Sequence, residues 1–307
     1  FGVTQFILFR HQLGEAGKYP NKINEQTKRN YIRGVGLVVI LIASVVITGM
    51  AGFWSIDPVY FAERFRDFLV VISIIYFIYL LLFAGLTANE KKNVLMLLLL
   101  FIGAAAFWSG FDQSAGSLTI FTRDYVNLTF GTFTAPVSWT QFVNPLFVVM
   151  FAPFFAYLWV FLGKRNLDPN MPIKFGLGLI LMALGFIVMI LAVKYALASS
   201  PVGVQWLLLT YLLHTFGELT LSPVGLSAFS KYSPKRYLGQ MMGIWFLASS
   251  LGGVLAGLLG GEATESGLES MSPVFTELVY YCLAIAAVLI VLSFFIKGAK
   301  TDNIPDE

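Results

Sequence analysis

The stretch "HTFGELTLSPVGLSAF" (residues 214–229) sits inside a long apolar run, yet it carries a carboxylate, Glu218, and a proline, Pro223. Both are costly in lipid. An acid at membrane depth needs a cavity or a partner, and a proline removes a backbone donor from its helix. The surrounding chain is 57% hydrophobic and 12% charged over 307 residues, against roughly 25% charged in a soluble domain. That excess identifies an integral membrane protein. Its apolar period is helical rather than alternating, which disfavours a membrane barrel. A spanning helix needs about 20 apolar residues. Eight stretches qualify, near 31–53, 67–87, 93–122, 140–163, 173–199, 204–230, 237–262 and 272–296. The opening "FGVTQFILF" is too short to span and reads as the tail of a preceding helix. With no methionine at Phe1, the chain is expected to be a fragment of a longer protein.

The basic residues test this count, because cytoplasmic loops are enriched in Lys and Arg. With the loop at 10–33 cytoplasmic and the sides alternating, 16 of the 20 Lys and Arg fall on that side. Only Arg64, Arg66, Arg123 and Lys194 fall opposite. The net charge of +3 is therefore a topology signal and not a nucleic-acid patch. The single cysteine, Cys282, excludes an internal disulfide.

Four segments follow. Residues 1–30 hold the end of a helix and a basic cytoplasmic linker. Residues 31–91 hold two greasy helices with no buried charge and few polar groups. Residues 92–297 form a six-helix bundle, and 298–307 a cytoplasmic tail. The bundle spans carry the polar residues. His214, Glu218 and Ser222 are spaced i, i+4, i+8 and are expected on one helix face. Pro223 frees the carbonyl of Leu219 and is expected to bend the helix toward a cavity. Glu218 reads either as a protonation switch in that cavity or as half of a permanent ion pair. With His214 it offers only two metal ligands, too few for a site.

"FWSGFDQSAGSL" (107–118) places Trp108 and Asp112 one turn apart. Asp112 is either the acid of an outer gate or a helix-end carboxylate in headgroup water, and Gln113 and Ser114 fit both readings. "WTQFVNPLFVVMFAP" (139–153) sets Asn144 before Pro145, which reads as a bent, cavity-facing segment or as an interhelical hydrogen bond. The Asn144 amide offers both donor and acceptor to a zwitterion. "GIWFLASSLGGVLAGLLGG" (243–261) puts Trp245 and Ser249 on one face, Trp245 as a pocket wall in preference to an interfacial anchor. "AERFRDF" (62–68) reads as a solvated outer turn, and "NLT" (127–129) carries no inference.

These residues have a family resemblance. "FGELTLSPVGLSAFSKYSP" resembles the signature of the proton-dependent oligopeptide transporters, a branch of the major facilitator superfamily. "FWSGFDQSAGSL", "QFVNPLFVVMFAP" and "GQMMGIWFLASSLGG" are similar to that family's seventh, eighth and eleventh helices, in order. The greasy pair resembles the extra helices that bacterial members insert between their halves. The resemblance implies the carboxyl-terminal six-helix bundle of this superfamily plus two additional transmembrane helices. It implies a proton-coupled symporter for di- and tripeptides, working by alternating access in a bacterial inner membrane. Protons would be the coupling ion, with no other cofactor, and the bilayer and an amino-terminal six-helix half would be the partners. Glu218 would bind the peptide amine and couple protons, with Asn144 supporting the termini. Trp108, Ser222, Trp245 and Ser249 would line the pocket, and Asp112 would be the gate acid.

The family's first-helix pattern, E-x-x-E-R-F-x-Y-Y, is missing. "ERF" at 63–65 echoes it, but Tyr60 stands where a Glu belongs and no Tyr pair follows. The expected half would not transport alone. A transporter of another solute such as nitrate is the alternative. An enzyme is disfavoured, because no nucleophile, base and orienter occur together.

Overall fold

The computed structural model describes Phe9 and residues 25–50, 57–265 and 267–294. The expected helix tail at 1–8, the linker at 10–24, the end of the first span (51–53) and the tail at 298–307 lie outside the described residues. The chain divides into two compact units, 1–57 and 58–307.

In the first unit, α1 (Glu25–Met50) begins inside the expected linker. "EQTKRN" is rich in good helix formers, so the helix starts before the apolar run does. Val35, Leu37, Ile40 and Leu41 are exposed along it, as a lipid-facing helix requires. Its hydroxyls are satisfied by its own backbone: Ser44 Oγ donates to the Ile40 carbonyl at 2.8 Å and Thr48 Oγ1 to that of Ser44 at 2.7 Å.

The second unit opens with α2 (Pro58–Leu82). "AERFRDF" is therefore not a solvated turn but part of this helix. Pro58 at the first helical position has a preset φ and lacks a donor the helix start cannot use. Leu69, Ser73, Phe77 and Leu80 form its buried stripe. Thr87 and Glu90 close a capping box at the start of α3 (Ala88–Phe111), with the Glu90 amide on Thr87 Oγ1 at 3.3 Å and the Thr87 amide on Glu90 Oε2 at 2.8 Å. The span expected over 93–122 does not run through. It breaks into a 3-10 turn at Asp112–Ser114 and resumes as α4 (Ser117–Tyr125). The buried Gln113 side chain bridges this break, donating to the Ala256 carbonyl at 3.0 Å and accepting from Ser117 Oγ at 2.7 Å. It belongs to packing.

The remaining helices are α5 (Val143–Lys164), α6 (Met171–Ala198), α7 (Gln205–Tyr232), α8 (Leu238–Glu265) and α9 (Leu268–Ser293). Asn170 caps α6, accepting from the Ile173 amide at 3.2 Å. α6 is the core helix, packed on α7 and α9 with Phe175, Leu179, Met182, Phe186 and Met189 fully buried. It crosses α7 backbone to backbone: a Cβ on Gly217 would stand 2.8 Å from the Gly178 carbonyl. Small residues permit this approach in membrane bundles.

Among the described residues, seven spans are long and apolar enough to cross a membrane, with α3 and α4 counted together. α7, expected as an eighth, falls short in apolarity. It packs against α3, α5, α6 and α8, so much of its surface meets protein and not lipid, and polar residues are tolerated there. Contacts join loop ends that the charge alternation assigns to the same side. Arg236 Nη2 donates to the Gly85 carbonyl at 2.9 Å, and Asn170 Nδ2 to that of Ser293 at 3.3 Å. On the opposite side, Val126–Asn127 pairs in parallel with Val202–Gly203.

Candidate functional site

α7 and α5 meet through one polar chain. Asn144 Nδ2 donates to Thr215 Oγ1 and to Glu218 Oε2, both at 3.0 Å. Thr215 Oγ1 in turn donates to the Tyr211 carbonyl at 2.7 Å. Both amide hydrogens of Asn144 are thereby committed inside the protein, so it offers a ligand only its Oδ1 acceptor, not the donor and acceptor expected. The interhelical and cavity readings of Asn144 thus coexist in one side chain. Pro145 does not bend the helix interior. It lies where a 3-10 segment, Val137–Phe142, hands over to α5, and a missing N–H in a first turn costs little.

Glu218 is half-buried. Among the described residues no Lys, Arg or His forms an ion pair with it, and Asn144 is its hydrogen-bond donor. The permanent ion pair therefore has no partner here, and Oε1 is left free to accept.

His214, Glu218 and Ser222 do not share one face. Each step of four residues overshoots a full turn by about 40°, so three residues fan over about 80°. His214 turns into the core, buried against Phe186 at 4.9 Å between ring centroids. Ser222 turns the other way, into a groove. Pro223 lines a different groove, of about 680 Å³, beside Trp159, Asp168 and Lys174. Among the described residues no group of three or more His, Cys, Asp or Glu is placed to hold a metal.

The groove that Ser222 enters has a volume of about 610 Å³. It is lined by Trp108, Asp112, Ser222, Trp245 and Ser249, with Leu226, Phe246, Ser250 and Gly253 completing it. The structure thus gathers five of the seven expected site residues. Glu218 and Asn144 are the other two and lie outside its lining, with Glu218 one turn along α7 from Ser222. The completing residues were missed, although Leu226 and Gly253 repeat the four-residue step after Ser222 and Ser249.

Two tryptophans wall the groove, each on a helix that approaches a glycine of its neighbour. Trp245 lies over Gly225 and packs edge-on and tilted against Phe175 and Phe229, at 6.4 and 5.4 Å. At Gly252 the α3 backbone and the Trp108 Cβ come close to α8, and the Trp108 indole stands edge-on to Phe111 at 5.2 Å. Trp245 is buried, which fits a pocket wall and not an interfacial anchor. Asp112 is the C-cap of α3 and has no side-chain hydrogen bond or ion pair among the described residues. It is a helix-end carboxylate, as one reading held, but it faces the groove. The Ser249 hydroxyl donates to its own helix, to the Phe246 carbonyl at 2.9 Å, and keeps its lone pairs for a ligand.

The comparisons with known proteins fit this arrangement. The sequence profile of the POT family matches residues 21–268. The peptide transporter YePEPT of Yersinia enterocolitica is 37% identical over 269 residues, which is 86% of this chain and 53% of the relative. A di-/tripeptide transporter of Lactococcus lactis is 33% identical over 260 residues, covering 80% and 51%. The crystal structure of a peptide transporter POT in complex with sulfate superposes with a TM-score of 0.81 at 31% identity, covering 98% of this chain and 60% of that one. The chain spans about half the length of these curated relatives.

Proposed function

The chain belongs to the POT family, and from that premise we propose that its groove is one wall of the substrate site of a proton-coupled di- and tripeptide symporter. The protein is a multi-pass integral membrane protein, and we assign it to a bacterial inner membrane. The observation that carries the reading is Glu218. It is a carboxylate at membrane depth whose Oε1 is free while Asn144 fixes Oε2. An acid held this way, with no base paired to it among the described residues, is suited to a cation that arrives and leaves.

The peptide ammonium binds Glu218, and Asn144 Oδ1 accepts a peptide N–H. A charge-assisted hydrogen bond contributes about 1.5–3 kcal/mol, roughly ten- to a hundredfold in affinity. Trp108 and Trp245 give apolar walls that tolerate many side chains, which suits a site selecting termini over side-chain identity. The second half of the transporter supplies bases for Glu218 and for Asp112. Protonation of either acid releases its base, and the released contacts shift the balance between inward- and outward-open states. A ligand moves such a balance only by its differential affinity for the two states.

The test is Glu218→Gln in the full-length protein, reconstituted in liposomes. Proton-driven dipeptide uptake is expected to fall at least tenfold, and undiminished uptake removes Glu218 from this role. Labelled nitrate that enters, and is not displaced by dipeptides, would instead support the other-solute reading.

A further inference from the structure

A separate cavity of about 630 Å³ opens between α2, α3, α8 and α9. Its walls are apolar, with Phe77, Leu98, Ile102, Leu255 and Ile285 among them. Its charged lining residues are Arg66, Glu262 and Glu277. All three lie toward one end. Arg66 is about 12 Å along α2 from its start and Glu277 about 13 Å along α9 from its start, at 1.5 Å per residue. Glu262 is near the end of α8, which runs the opposite way. The cavity is therefore amphiphilic, with a polar head on the side assigned as external and an apolar body below.

The head group chemistry is specific. Arg66 uses Nε and Nη2 on Asp67 Oδ1, at 3.1 and 2.9 Å, and keeps Nη1 free. Glu262 and Glu277 have no hydrogen-bond or ion-pair partner among the described residues. Two open carboxylates beside one guanidinium disfavour an anionic ligand. They accept hydrogen bonds from a primary ammonium, whereas a trimethylammonium has no N–H to give. The serines of the cavity make no competing demand, since Ser73 Oγ donates to the Leu69 carbonyl and Ser109 Oγ to that of Ala106, both at 2.7 Å.

We propose that this cavity holds a bilayer phospholipid whose net-neutral headgroup joins a primary ammonium to a phosphodiester. Its ammonium binds Glu262 and Glu277, its phosphodiester binds Arg66, and an acyl chain fills the apolar body. The lipid then bridges α2, which lies outside the six-helix bundle, to three helices of that bundle. A volume of this size falls within the roughly 300–1,000 Å³ range of ligand sites.

The test is native mass spectrometry of the full-length protein exposed to equal amounts of phosphatidylethanolamine, phosphatidylglycerol and phosphatidylcholine with matched chains. Retained ethanolamine lipid is expected to exceed each of the others about tenfold, the worth of one charge-assisted hydrogen bond. Glu277→Gln and, separately, Glu262→Gln are expected to reduce that preference severalfold while leaving the melting temperature of the delipidated protein unchanged. Equal retention of the three lipids, a preference for the glycerol headgroup, or a preference untouched by both variants overturns the assignment.

Discussion

Gly225→Ala tests whether the seat of Trp245 holds the groove open. A Cβ at position 225 would lie 2.2 Å from Trp245 Cη2, 2.4 Å from Cζ3 and 2.8 Å from Phe175 Cζ. Carbon atoms rest at about 3.5–4.0 Å, so the indole must retreat by about 1 Å or more. Phe175 and Phe229 block it on the core side, and the open side is the groove. Overpacking of this kind costs about 1–3 kcal/mol, partly offset by about 1 kcal/mol from replacing Gly with Ala in a helix. Gly257 of α8 isolates the first effect, because a Cβ there meets nothing within 4 Å. Gly257→Ala should raise stability by up to about 1 kcal/mol, and the propensity gain cancels in the difference between the two variants. The expected gap is therefore the overpacking cost alone. At about 2–4 °C per kcal/mol, Gly225→Ala should melt at least about 2 °C below Gly257→Ala. Thermal melting of each full-length variant in detergent, followed by tryptophan fluorescence, measures the gap. Dipeptide uptake should fall only for Gly225→Ala, whose indole now stands in the groove. Equal melting temperatures, or a Gly225→Ala protein that melts higher, would refute the packing argument.

Gln113→Leu removes the side-chain hydrogen bond to the Ala256 carbonyl, which keeps its place in the α8 ladder, and takes the acceptor from the buried Ser117 hydroxyl at the break between α3 and α4. An unsatisfied buried hydroxyl costs about 1–3 kcal/mol, so the variant should melt at least about 2 °C lower in the same assay. Thr215→Val keeps the side-chain shape but removes the acceptor that fixes Asn144. It should raise the KM for dipeptide severalfold in liposome uptake with a smaller change in kcat, and an unchanged KM would show that Asn144 needs no such support.

What could be read in advance follows from what lipid rewards. The spans were legible because length and apolarity are demanded of any helix in a bilayer, and the sidedness because 16 of 20 basic residues obey one alternation. Rotation about each helix axis was not legible. In a soluble protein a polar face marks the outward side. In α6 or α8 lipid-facing and core-facing residues are both apolar, so the sequence carries no mark of which is which. That is why His214 was assigned to the face of Glu218 when it points into the core, and why nothing in the sequence announced that Gly225 seats Trp245. The polar residues were the exception. Glu218, Asn144, Asp112, Ser222 and Ser249 could be singled out because each is costly or unusual at depth, and they mark where the bundle turns from lipid toward a cavity. The same logic explains α7: its shortfall in apolarity, which makes it the weakest span by composition, reflects its place among four other helices. The helix least suited to lipid is the one from which Glu218 and Ser222 project, so the deficit in hydropathy is itself the signal for the site.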